Sequence, residues 1–386
     1  MRNKFNYVKK QFSANKTFKI NHTYLIEQFF DYKKIFNEIS KVVKKGDYTL
    51  GEQVETFERS MAKRMRAKYA ISVGNGTDAL YLSLKVLNIG KGDEVITPPY
   101  SFIATTASIV TAGATPKFVD IKNDYNIDES KIEKSITKKT KAIMPVHWAG
   151  KPCEMVKIHK IAKKYNLKII QDSSHAIDTI YRGNSIVKYG DLCTFSMHPL
   201  KNLNVWGDGG FILTNNQKLY KTLYLLRNHG LKDRNNCEFF GYNSRLDTIQ
   251  AAVANFKLKK KLNNITNQRI NNAHLFDKLL KKNNDIILIP RDKKIKEVFH
   301  LYHINVRRKR DSLLKFLKSK NIDAKVHYPI PIHLQKAARY LKYKKGDFPV
   351  SEQLAATSIS LPVHEFISKK EIYYVCDMIN LFFKKN

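Results

Sequence analysis

The sequence predicts an α/β protein, with a mainly parallel sheet between helices in a large domain and a smaller C-terminal α+β domain. Two observations carry that expectation. From Tyr69 to Asn215 short apolar runs alternate with amphipathic segments, as strands do with the helices that cross over between them. Over residues 266–386 the order changes to a strand-like run followed by helical patterns. A chain of 386 residues is also long enough to bury a large core and a second lobe.

The elements follow in order. YAISVGN reads as a strand, and TDALYLSLKVLNI as a helix with apolar residues at helical spacing, stopped by Gly90. EVITPPY, KFVDI, KAIMPVHWAG, LKIIQD, LCTFSM and GGFILTN read as further strands, with EMVKIHKIAKKYNL a helix before LKIIQD. A long helical stretch from about Arg245 to Lys282 comes next. HLYHINV then reads as a strand, RDSLLKFLKSKNI as a helix and KKEIYYVCDMINLFFKK as a closing helix. The expected division is a helical arm over 1–50, a large domain over 51–265 and a small domain over 266–386, with no internal repeat.

Composition narrows the function classes. The formal net charge is +35, but the lysines are spread along the whole chain as doublets, in KVVKKG, KIAKKY and KLLKKNN among others. A nucleic-acid binder more often gathers basic residues and aromatics in one module, so a basic nucleic-acid-binding protein stands as the weaker alternative. A positive field suits an anionic small-molecule substrate as well. No apolar run approaches the eighteen or so residues of a membrane helix, and the basic N-terminus lacks a secretory apolar core. Cys153, Cys193, Cys237 and Cys376 lie far apart without a CxxC pair, which predicts no metal site, no disulfide framework and a reducing cytoplasm.

Three segments carry candidate chemistry. In GNGTDAL, residues 74–80, a strand ends in glycines and Thr77 follows at a helix start, where N–H groups and the helix dipole favour a phosphate. Taken alone, an ordinary strand–turn–helix with Thr77 as N-cap is the better reading, since neither a P-loop nor GxGxxG is present. In IIQDSSHA, Asp172 stands at the C-terminal end of a buried strand, where open α/β sheets bind ligands. A carboxylate there needs a cation or hydrogen-bond donors, and a protonated pyridine is such a partner. A turn-capping Asp is as good a reading, and His175 reads equally as a structural loop histidine. In TFSMHPLKNLNVWGDGG, Lys201 stands apart from the lysine doublets beside HPL and NLNVW, on a loop that also holds Ser196 and His198. A lysine at the edge of an apolar loop can lose its proton and form an imine.

The order of these segments is more specific than any one of them. From about Tyr48 to near the C-terminus the chain resembles the DegT/DnrJ/EryC1/StrS sugar aminotransferases, which have the fold-type I architecture of pyridoxal-5′-phosphate (PLP) enzymes. The motifs that carry the resemblance are GNGTDAL, PVHWAGKPCEM, QDSSHA, FSMHPLKNL, GDGG, GYNSRLDTIQAA and VHYPIPIH. The resemblance implies that Lys201 holds PLP as an imine and moves the proton, while Asp172 pairs with the pyridinium nitrogen. It places His175 beside the ring oxygen, Phe102 on the ring face, and Gly76, Thr77, Asp78 and Ser196 at the phosphate. Asn243 matches a residue that reaches the phosphate from a neighbouring subunit, so a homodimer with a shared active site is implied. His327, Tyr328 and His333 would approach the sugar, although each is equally a packing or turn residue.

The implied reaction moves an amino group from an amino acid, expected to be L-glutamate, to a nucleotide-linked keto-deoxyhexose. KNL…GDGG with NSRLD favours C3 over C4. Deoxy amino sugar biosynthesis, as for lipopolysaccharide O-antigen, is the implied setting. Gln171, Ser173-Ser174 and Trp206 depart from the usual pattern without removing a catalytic group. A PLP-dependent sugar dehydratase would carry His in place of Lys201, and a non-catalytic regulator would lose the lysine or add a DNA-binding module.

Overall fold

The computed structural model describes residues 18–385; residues 1–17 of the expected arm, including most of the basic N-terminal stretch, lie outside them. Seven strands form the large sheet: β1 (Tyr69–Val73), β2 (Glu94–Thr97), β3 (Thr115–Phe118), β4 (Thr140–Ile143), β5 (Lys168–Asp172), β8 (Leu192–Ser196) and β9 (Gly210–Thr214). Two short strands, β6 (Ile180–Tyr181) and β7 (Asn184–Ser185), lie outside it. The order across the sheet is β1-β9-β8-β5-β4-β2-β3. β9 is antiparallel to both its neighbours and all other pairs that lack it are parallel, so six strands point one way.

The strand sequences explain this burial. Along β9, Phe211 and Leu213 join one apolar cluster with Phe57 and Phe195, while Ile212 joins another with Ile71 and Leu82. Alternate side chains thus enter cores on opposite faces, as a sheet covered by helices on both sides requires. The helix after β1, α1 (Gly76–Val86), stops before Gly90 because Asn88 takes a left-handed φ of 55°. Its N-cap is Asn75 and not Thr77: Asn75 Oδ1 accepts the Asp78 N–H at 2.8 Å.

The single helical stretch expected over 245–282 is two helices, α2 (Thr248–Lys260) and α3 (Leu262–Leu280), because Lys261 leaves helical geometry at φ −128° and ψ −34°. Lys261 Nζ donates instead to Gln28 O at 3.0 Å and Asp31 Oδ1 at 2.6 Å, which pins the arm at the break. The arm carries helices Leu25–Gln28 and Tyr32–Lys45. Phe29 and Phe36 meet Trp206 edge-on, with ring centroids 5.7 and 5.3 Å apart, so the bulky departure at Trp206 serves packing.

Towards the C-terminus, β10 (Ile286–Leu288), β12 (Tyr302–Val306) and β13 (Ser358–Leu361) form an antiparallel sheet, and β11 (Ile295–Lys296) pairs with β6. Phe276, Leu313 and Ile379 from three helices pack against Ile304 and Ile359 of that sheet. Ile20 enters the same cluster and bridges to Ile322. No described helix is long and apolar enough to cross a membrane.

Three segments of the large lobe meet at a buried ion pair. Glu58 Oε1 accepts from the Ser72 N–H at 2.8 Å, the Ser72 hydroxyl at 2.7 Å and the Arg227 guanidinium. Arg227→Met strands that carboxylate, and the expected loss is about 3–5 kcal/mol of stability, read as a lower urea midpoint with an unchanged slope.

Candidate active site

Because six strands share a direction, the C-terminal ends of β1, β5 and β8 open on one edge of the sheet. That edge gathers the first candidate group. A Cβ placed on Gly76 would lie 2.6 Å from Ser196 Cβ, and one on Gly210 would lie 2.4 Å from Asn75 O. The missing side chains let the start of α1 sit directly against the end of β8. Gly76, Thr77 and Ser196 are therefore together. The Asp78 N–H is committed to Asn75, and Asp78 Oδ2 accepts the Ser244 hydroxyl at 2.7 Å. Asp78 thus ties the loop that carries Asn243 to the turn. Asn243 itself is exposed.

Asp172 ends β5, 5% exposed. Its oxygens accept from neutral donors, the Thr105 hydroxyl at 2.7 Å and the Ser174 N–H at 3.1 Å. Lys201 lies close enough to feel this carboxylate. Burial lowers the pKa of its amine to about 8, against the opposing pull of Asp172. An amine so placed loses its proton far more readily than an exposed lysine.

His175 is buried, and its Nδ1 accepts the Ala149 N–H at 3.3 Å, which leaves the ring proton on Nε2. Burial first, then the charge of Lys201, holds His175 well below the usual histidine range, so the ring is neutral. Phe102 caps the helix Ile103–Thr111, half exposed, and its ring centroid is 5.9 Å from that of Tyr328. The Tyr328 N–H donates to the Tyr100 hydroxyl at 2.9 Å, and that hydroxyl donates to His327 O at 2.6 Å. Burial, with Lys325 and Lys201, lowers the pKa of His327 to about 4. His333 packs inside: its Nε2 is 3.0 Å from Glu352 Oε1 and its ring centroid lies 4.8 Å from that of Phe348. Gln171 likewise turns away, bonding His147 Nε2 at 2.8 Å.

Several residues escaped sequence reasoning. Thr105 steadies Asp172 and is itself 2.7 Å from the Ser101 hydroxyl; the four-residue spacing of Ser101 and Thr105 was the available signal. The His300 ring lies tilted against that of His175, centroids 4.2 Å apart, and Trp148 meets both His175 and Tyr328, at 5.6 and 5.8 Å. Nothing local in HLYH or HWAG distinguishes these from core residues.

A helix start free of side chains suits a phosphate, and a buried carboxylate with neutral donors suits a cationic ring nitrogen. Beside them stands a desolvated lysine amine. Together these features define a PLP-dependent aminotransferase of α/β architecture, and the cofactor is pyridoxal 5′-phosphate. The chain belongs to the DegT/DnrJ/EryC1/StrS aminotransferase family, whose model matches residues 31–380. It is 40% identical over 90% of its length, and 95% of the relative's, to dTDP-3-amino-3,6-dideoxy-alpha-D-galactopyranose transaminase of Aneurinibacillus thermoaerophilus. It is 38% identical to a protein of Geobacillus stearothermophilus named pleiotropic regulatory protein, over 93% of this chain and 97% of that one. Among solved structures, S. venezuelae DesV in complex with a ketimine intermediate superposes with a TM-score of 0.91 at 33% identity, covering 94% of this chain and 98% of that one.

Lys201 taken as the PLP-capturing amine predicts a pH dependence. In cofactor-free protein the rate of PLP capture should rise with pH about a midpoint near 8, because the neutral amine is the nucleophile, in place of the ~10.4 of an ordinary lysine. Growth of the visible absorbance band after mixing, followed across a pH series, measures it. A midpoint above 10 or so would contradict the burial described.

Proposed function

We propose that this chain transfers an amino group from an amino acid, L-glutamate, to C3 of a nucleotide-linked keto-deoxyhexose, as a homodimer in the cytoplasm. The observation that carries the proposal is the desolvated Lys201 amine within the field of the buried Asp172 carboxylate. The C3 assignment draws on the A. thermoaerophilus relative and on an S. venezuelae one, both named as transaminases of dTDP-3-amino sugars.

When bound, PLP supplies an electron-accepting ring that stabilises negative charge at the donor carbon. Asp172 holds positive charge at the ring nitrogen, and Thr105 and the Ser174 N–H fix the carboxylate that does so. Lys201 Nζ would take the proton from the donor Cα and give it back on the cofactor side, acting as base and then as acid. The N–H groups of Gly76 and Thr77, with the hydroxyls of Thr77 and Ser196, hold the phosphate, and α1 adds its dipole. Phe102 covers the ring face and His175 Nε2–H serves the ring oxygen. His327 and Tyr328 meet the sugar. Both histidines are held neutral here by burial, so they bind hydroxyls without adding charge.

Support for a shared site comes from the surface loop that ends at Asn243. Asn243 is exposed and Phe240, three residues earlier, is 99% exposed. Four unpaired cysteines, three of them buried, support a reducing compartment. The regulatory name of the G. stearothermophilus relative suggests a second role, but a regulator has no need of Lys201 or its buried carboxylate partner. A sugar dehydratase of this fold would replace that lysine by histidine.

Lys201→Ala should lower turnover by about 10²–10⁴ and abolish the visible band, with an unchanged far-ultraviolet circular dichroism spectrum. Borohydride reduction of the PLP-loaded parent should tag Lys201 in peptide maps; another tagged lysine ends the proposal. Incubation with glutamate and paired 3-keto and 4-keto dTDP-sugars, with the product identified by mass and NMR, decides the position. Amination of the 4-keto sugar alone would refute C3.

A further inference from the structure

Lys201 sits in a stretch, residues 197–209, that forms neither helix nor strand. Its two flanks are tied by backbone bonds, Met197 N–H to Gly209 O at 2.7 Å and Val205 N–H to Met197 O at 3.0 Å. Between those ties the Lys201 N–H donates to His198 O at 2.8 Å, and side chains hold the rest. Asn202 Nδ2 donates to Val298 O at 3.2 Å, and its Oδ1 lies 3.3 Å from His300 Nδ1. Asn204, wholly buried, donates to Gln28 Oε1 at 2.6 Å and to Pro199 O, and accepts from the Lys257 ammonium.

Gln28 is the unusual member. It is 2% exposed, it comes from the arm, and it precedes residues 31–380, the span the family model matches. Its other end donates to Glu365 Oε1 at 3.2 Å. Glu365 is paired with Arg269 at 3.4 Å, both 3% exposed. Arg269 in turn donates to Phe299 O and His300 O, at 3.2 Å each. A buried polar circuit therefore leaves the lysine loop at Asn204, passes through Gln28, and returns to it at Asn202. A broken link inside such a circuit leaves buried groups unpaired, so the loop cannot drift cheaply.

We infer that Gln28 is a positioning residue for Lys201: through Asn204 it fixes the loop that presents the amine, so a segment outside the matched family span completes the active site. This rests on Lys201 being the cofactor-bearing lysine. Lys257 supports the assignment. It is 1% exposed, stands 4.7 Å from the Phe29 ring, and has its pKa lowered to about 7 by burial. So costly a group stands where it grips Asn204 beside the arm's own Phe29.

The test compares PLP-loaded parent, Gln28→Met, Asn204→Leu and the double variant. Gln28→Met should lower kcat roughly tenfold, the worth of about one hydrogen bond near 1.4 kcal/mol, with KM for the sugar within about twofold. The pH midpoint for PLP capture should move upward, because a loosened loop admits water to the amine. The double variant should lose no more kcat than the worse single one. A drop in melting temperature with kcat and the midpoint unchanged overturns the inference, as does a multiplicative loss in the double variant. If Gln28→Met does not fold, Gln28→Asn, shorter by one methylene, is expected to move the same readings. The parent separates the two claims: a parent whose band survives Lys201→Ala fails the proposed function, whereas a normal parent beside a normal Gln28→Met fails only this inference.

Discussion

The structure depends on keeping an amine and a carboxylate within each other's field while both are out of water. Burial drives the Lys201 amine toward neutrality, and the attraction of Asp172 opposes that drive only in part. A carboxylate buried as Asp172 is would be costly without hydrogen-bond donors. Two neutral donors, Thr105 and the Ser174 amide, hold the carboxylate in place without cancelling its charge. The result is a dipole built into the protein, aimed before any ligand arrives, which is how enzymes avoid reorganisation at the moment of reaction.

Everything else arranges that pair. Parallel strands bring Asp172 and Ser196 to one edge, and the single reversed strand, β9, lets β1 join from the far side with the same direction. The phosphate-type turn after β1 thereby reaches Ser196, a juxtaposition that sequence separation alone would never suggest. The second lobe adds His300 and the His327–Tyr328 pair to the same cleft.

What was legible in the sequence follows from locality. The strands ending at Asp172 and Ser196, and the glycines of GNGTDAL, are written in contiguous residues as continuous buried runs or a required absence of side chain. Errors fell where distant partners decide. Asn75 won the cap from Thr77 because its side chain reaches the Asp78 N–H, and the helix breaks at Lys261, whose amine meets Asp31, 230 residues away. The contact of His333 with Glu352, 19 residues on, was likewise not written in VHYPIPIH. Thr105 and Gln28 gave little local sign, since their partners lie 67 and 176 residues away in sequence.

The arm has a mechanical side as well. Its Ile20 end is anchored beside Ile322, and its Gln28 end beneath the lysine loop and against Glu365. A polypeptide extends by no more than about 3.5 Å per residue, and by less while its turn of helix persists. The stretch between these anchors therefore fixes how far Ile322 and Asn204 can move apart while both contacts hold. Wider separation would require one anchor to let go.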